Sequence, residues 1–99
     1  MGLYMLYRSK AKNTEELDKL RLQFEEIYKR NKVDIVGFWT NADAEDEFFY
    51  MSRYKDEADY KNTVERLRKD EDYIRLGHEL KEARLDFEST RLIPKWIPE

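Results

Sequence analysis

The sequence predicts an α+β domain in which helices cover one face of a four-stranded antiparallel sheet, and three observations carry that prediction. Short aromatic and β-branched runs recur near residues 3–8, 33–40, 48–54 and 85–93. Between them lie stretches with apolar residues every three or four positions, beginning after Asn13 and after Asp56. The 2 prolines, Pro94 and Pro98, both stand beyond the last run, so no proline interrupts an element before it. The implied order is β-α-β-β-α-β with the second helix split.

Leu3-Tyr4-Met5-Leu6-Tyr7-Arg8 reads as the first strand, leaving through polar Ser9 to Asn13. Asn13 followed by Glu16 has capping-box spacing, and Leu17, Leu20, Phe24, Ile27 and Tyr28 then share one helical face as far as Asn31. From Lys32 to Thr40 the pattern becomes β-branched and aromatic. The polar cluster Asn41 to Asp46 breaks it as a solvated turn, and Phe48-Phe49-Tyr50-Met51 resumes it, so strands two and three form a hairpin. Asp56 caps a helix carrying Tyr60, Val64 and Leu67, and Asp70 caps another carrying Tyr73, Leu76, Gly77 and Leu80; these are two helices or one kinked helix. Leu85 to Ile93 alternates as the fourth strand, and the prolines hold the Trp96 tail out of regular structure. With the split helix counted once, this is the ferredoxin-like arrangement in a single domain over residues 1–99.

Acidic residues open each helix and basic ones close it, as the helix dipole favours, and Glu25/Lys29, Glu26/Arg30 and Glu65/Lys69 have the spacing of ion pairs one turn apart. The strands are less ordinary. An antiparallel sheet with helices on one face is usually polar on the other. Here Leu3, Met5 and Tyr7 oppose Tyr4 and Leu6; Val33, Ile35 and Trp39 oppose Val36 and Phe38; Phe48, Tyr50 and Tyr54 oppose Phe49 and Met51. Leaving either set in water forgoes roughly 1.5–3 kcal/mol per large side chain and exposes more apolar surface than soluble monomers carry. The expected cover is a second copy of the sheet in a two-fold homodimer.

Val36-Gly37-Phe38-Trp39 on a strand, a following strand that ends Arg53-Tyr54, Asp56 opening one helix and Asp70-Glu71-Asp72-Tyr73 opening the next together resemble the NIPSNAP group of dimeric α/β-barrel proteins. Arg8, at its distance before Leu17, and the ending Leu92-Ile93-Pro94 add to the resemblance; Met5, Leu6 and Lys10 depart from it. The resemblance implies two ferredoxin-like sheets meeting across a two-fold axis, a cleft between sheet and helices in each subunit, and an undetermined activity. Superfamily relatives include cofactor-independent monooxygenases, lactone isomerases and haem-degrading enzymes. The alternative expectation is therefore a cofactor-independent monooxygenase or isomerase acting on an aromatic or quinone-like compound.

Candidate chemistry is sparse. Trp39, Tyr50 and Tyr54 are candidates to line an aromatic pocket for a small apolar or aromatic molecule, with Arg8 or Arg53 as an anion-binding group. His78, the single histidine, is the natural acid–base candidate, although it lies off the Leu76–Leu80 stripe. A chain with no cysteine builds no disulfide, thiolate zinc site or cysteine nucleophile. Its 3 glycines, at 2, 37 and 77, make no phosphate-cradling loop, and Asp43 to Glu47 lack the glycine and closing glutamate of a calcium loop. No cofactor or metal is expected. A net charge of -3, with 19 Lys and Arg interleaved among 22 Asp and Glu, argues against nucleic acid as a partner. The absence of a long apolar run argues against a membrane, and the first residues lack a secretory pattern, so a cytoplasmic location is expected.

Overall fold

The computed structural model describes residues 2–98. Its elements are β1 (Leu3–Ala11), α1 (Thr14–Arg30), β2 (Asp34–Asn41), β3 (Ala44–Tyr54), α2 (Glu57–Arg68), α3 (Glu71–Ala83) and β4 (Arg84–Leu92). The sheet has the order β2-β3-β1-β4, antiparallel throughout, which is the ferredoxin-like order. Its extents of 37 × 34 × 19 Å leave room for one layer of helices on one layer of sheet.

Local chemistry explains the boundaries. The Asn13 side chain accepts from the Glu16 backbone N–H at 3.1 Å, and Asp56 does the same for Asp59 at 2.8 Å. Asp70 caps α3 through Asp72 and Tyr73, so the split helix is two separate helices. All five residues of the predicted α1 stripe are buried, and they pack with Leu67, Leu76 and Ala83 to form the main core between helices and sheet. No described helix is long and apolar enough to cross a membrane.

Four local expectations need correction. β1 continues past Arg8 because Ser9 and Ala11 are buried beneath the helices while Lys10 points out, which completes the strand's alternation. The hairpin turn is only Ala42–Asp43, tightened by the Asp43 N–H donating to Asn41 Oδ1 at 2.8 Å. Glu45, Asp46 and Glu47 belong to β3, where the Glu47 carboxylate accepts from Asn41 Nδ2 at 2.6 Å and Arg8 Nε at 2.5 Å.

The third correction is a β-bulge: Val36 and Gly37 stand against Met51 alone. The extra residue reverses the alternation, so Phe38 joins Ile35 on the helix face and Trp39 turns to the opposite face beside Phe49. A Cβ at Gly37 would lie 2.9 Å from Trp39 Cζ2, so only glycine lets the indole lie over that backbone. The fourth concerns ion pairs. Arg30 leaves Glu26 and reaches across to Asp70, because α1 ends beside the start of α3 and a two-pronged contact there outweighs an exposed pair along one helix. Glu25 pairs with Arg21, and Glu26 and Glu65 pair one residue earlier than expected, with Lys29 and Arg68.

The face away from the helices carries Tyr4, Leu6, Phe49 and Met51, with exposed Val36, Trp39 and Leu92 around them. Trp96 of the tail does not pack on this face, since it is 81% exposed. One end of the face is charged: Arg8 binds Glu47 and Asp86, with Glu88 at 3.7 Å.

Candidate functional site

The strand alternation that buries Leu3 and Met5 also turns Tyr7 toward the helices. The register then sets Tyr7 beside Tyr50 on β3, Tyr50 beside Phe38 on β2, and Phe87 of β4 diagonally from Tyr7. The result is a row of rings crossing all four strands. Phe38 stacks on Tyr50 at 5.4 Å, Tyr50 on Tyr7 at 4.5 Å and Tyr7 on Phe87 at 6.0 Å between centroids. Arg84 closes the row, its guanidinium carbon 3.9 Å from the centre of the Phe87 ring.

Above this floor, α1 contributes Phe24 and Tyr28 and α3 contributes Tyr73, which meets Phe24 edge-on at 6.0 Å. Floor and roof do not close on each other. A cleft of about 500 Å³ separates the roof from Tyr50, Tyr7 and Phe87, bounded also by Tyr54 and Ser52 on the sheet side and by Gly77 and Leu80 on α3; Phe38 lies outside it, on the adjoining cavity. A smaller cavity of about 270 Å³ adjoins it toward the first turns of α1, sharing Tyr28 and Tyr50 and reaching Trp39 at the β2 edge.

The electrostatics are those of a largely buried aromatic floor. Burial pushes the Tyr7, Tyr28, Tyr50, Tyr54 and Tyr73 hydroxyls above the ordinary phenol value, so all five remain protonated donors at neutral pH. Ser52 Oγ donates to Tyr54 Oη at 3.0 Å, and Tyr54 meets Tyr60 edge-on at 5.1 Å. Burial works the other way on Arg84, lowering its affinity for its proton. Among the described residues no group of His, Asp and Glu is arranged to hold a metal ion.

Of the residues expected at a site, the fold brings Tyr50 and Tyr54 together inside the cleft and places exposed His78 at its rim. Trp39 borders only the smaller cavity. Arg8 and Arg53 lie on the opposite face, Arg8 in its acidic cluster and Arg53 bound to Asp34 at 2.9 Å. Sequence reasoning missed Tyr7, Tyr28, Tyr73 and Phe87, which it read only as apolar stripe positions. It read Arg84 only as one of the basic residues that close the last helix. The register of Tyr7 with Tyr50 is a signal that alternation holds in principle; no local signal marks Arg84, whose direction depends on α3 running straight into β4 without a loop.

No protein-family model matches this chain, and no curated protein matches it in sequence. Solved structures do match. A NIPSNAP family protein from Agrobacterium tumefaciens str. C58 superposes with a TM-score of 0.84 at 15% identity, over 96% of this chain and 94% of its own. An uncharacterized NIPSNAP domain protein from Burkholderia xenovorans gives 0.81 at 18% identity over 100% of both chains. SnoaB, a cofactor-independent oxygenase from Streptomyces nogalater, gives 0.80 at 10% identity over 99% of this chain and 98% of its own. The chain is thus NIPSNAP-like in fold, a ferredoxin-like α+β domain of the kind shared by those NIPSNAP proteins and SnoaB.

Proposed function

We propose that this protein is a NIPSNAP-like dimeric α/β-barrel protein that binds a small, flat aromatic molecule in the cleft between its sheet and its helices. The observation that carries this reading is a space of about 500 Å³, floored by the stacked rings of Tyr50, Tyr7 and Phe87, which the chain's own side chains leave open. Protein interiors pack closely, and a well-formed apolar cavity with a few polar groups is the usual form of a ligand site. Gly77 supplies the test, because it lines the cleft and a Cβ there meets nothing within 4 Å. Gly77→Leu should fill the space while favouring the helix by about 1 kcal/mol. The expected result is calorimetric binding of 2-naphthylmethanol to the wild type, lost in Gly77→Leu with no fall in melting temperature. Absence of binding to the wild type by both this alcohol and 2-naphthoate removes the reading.

The homodimer belongs to the same proposal. It is supported by the uncovered face around Leu6, Phe49 and Met51, and sedimentation at micromolar concentration should give twice 12.2 kDa. A species of 12.2 kDa alone would sink it. The cytoplasmic location expected from the sequence goes with this reading, and cell fractionation tests it.

A catalytic use of the cleft is favoured by one observation, the likeness in fold to a cofactor-independent oxygenase. Oxygen uptake by the purified protein with an aromatic hydroquinone, abolished by Gly77→Leu, would establish it; an unchanged uptake in Gly77→Leu would place the reaction outside the cleft.

A further inference from the structure

The side chains lining the cleft are unbalanced in charge. Arg68, Lys81 and Arg84 are among them, and no aspartate or glutamate is. This is unusual in a chain whose acidic residues outnumber its basic ones, 22 to 19. Arg68 has an outlet at the surface, 3.7 Å from Glu65. Arg84 has none: among the described residues it makes no ion pair and no side-chain hydrogen bond, and it is partly withdrawn from water. Its local compensation is the Phe87 ring face and the carbonyl end of α3, from which its backbone emerges. Among the described residues no side-chain nitrogen is sealed away without a partner, so the guanidinium's open donors face accessible space.

A guanidinium is a planar fork that matches a carboxylate, and it holds one most strongly where water is scarce. The surrounding phenols are protonated donors, and none of them competes with an anion for Arg84. We propose that the cleft selects an aromatic carboxylate, its rings against Tyr50, Tyr7 and Phe87 and its carboxylate on Arg84. This rests on the reading of the cleft as a ligand site and adds the charge of the ligand and the residue that chooses it.

The test compares two probes of one shape, 2-naphthoate and neutral 2-naphthylmethanol, by calorimetry on the full chain. The wild type should bind the acid at least about tenfold more tightly, a factor typical of one net ion-paired contact. Arg84→Gln should bring the two probes to equal affinity while leaving the alcohol's affinity within about twofold, and Lys19→Gln, exposed on α1 away from the cleft, should leave the preference intact. Equal binding of both probes to the wild type overturns the inference and leaves the cleft as a site for neutral rings. A preference that survives Arg84→Gln, or that Lys19→Gln abolishes, also overturns it. Binding of neither probe removes the cleft reading and the inference together. The wild-type comparison stands by itself if Arg84→Gln does not fold.

Discussion

Asp70 serves two helices at once. Its carboxylate caps α3 by accepting from the Asp72 and Tyr73 N–H groups, and it binds Arg30 through two nitrogens and Asn31 Nδ2 at 2.8 Å, all at the end of α1. The Arg30 guanidinium, followed by Asn31, holds this carboxyl down to about 2. A depressed carboxyl stabilises the fold above its unfolded value near 4 and loses that contribution as pH falls toward the folded value. Wild-type stability should therefore drop more steeply between about pH 4 and 2 than that of Asp70→Asn, as read by chemical denaturation across that window. At neutral pH Asp70→Ala should cost about 2 kcal/mol and Asp70→Asn less, because asparagine still caps. The capping role is legible in the sequence, since Asp70 stands at the start of an apolar-periodic stretch. The contact with Arg30 is not, because forty positions separate them and only the packing of α1 beside α3 brings them together.

At the scale of elements, the sheet's helix face carries the most distinctive chemistry. Five of the 7 tyrosines (Tyr7, Tyr28, Tyr50, Tyr54 and Tyr73) are held protonated by burial. For a raised phenol, stability is fully present below the unfolded value near 10 and declines above it, where the unfolded chain releases protons that the folded one retains. Alkaline titration should show phenolate absorbance from these five rising together with loss of far-ultraviolet dichroism; a gradual rise in a still-folded protein would contradict their burial. The helices were readable in advance because Leu17, Leu20, Phe24, Ile27 and Tyr28 repeat at helical spacing and all five are buried. The strands were readable in place but not in detail. A bulge at Val36–Gly37 leaves no mark in a period-two pattern, and Glu45 to Glu47 look like a turn until their partners Arg8 and Asn41 are in place.

For the whole molecule, the two faces can now be told apart. Phe48 packs against the main core, whereas its neighbour Phe49 looks outward beside Trp39. Phe48→Asp should unfold the domain, a loss on the order of 3 kcal/mol or more, while Phe49→Asp should yield a folded monomer by sedimentation and circular dichroism. From sequence the two phenylalanines are equivalent, because both faces are apolar and parity alone does not say which one meets the helices. Parity does set Arg53 opposite Tyr50 and Tyr54 on β3, whereas Trp39 leaves their face only because of the bulge. The chain itself meets the same ambiguity while folding. Sliding a strand by one residue normally drives its apolar set into water and is rejected on that account. In β1 and β3 such a slip exchanges one apolar set for another, so hydrophobicity offers little correction. What distinguishes the true register is size and charge: Ser9, Ala11 and Ser52 are small enough to lie buried beneath the helices, and Arg8 finds Glu47 in that alignment. A few modest residues thus act as the proofreading of a sheet whose large ones are nearly indifferent to which way they face.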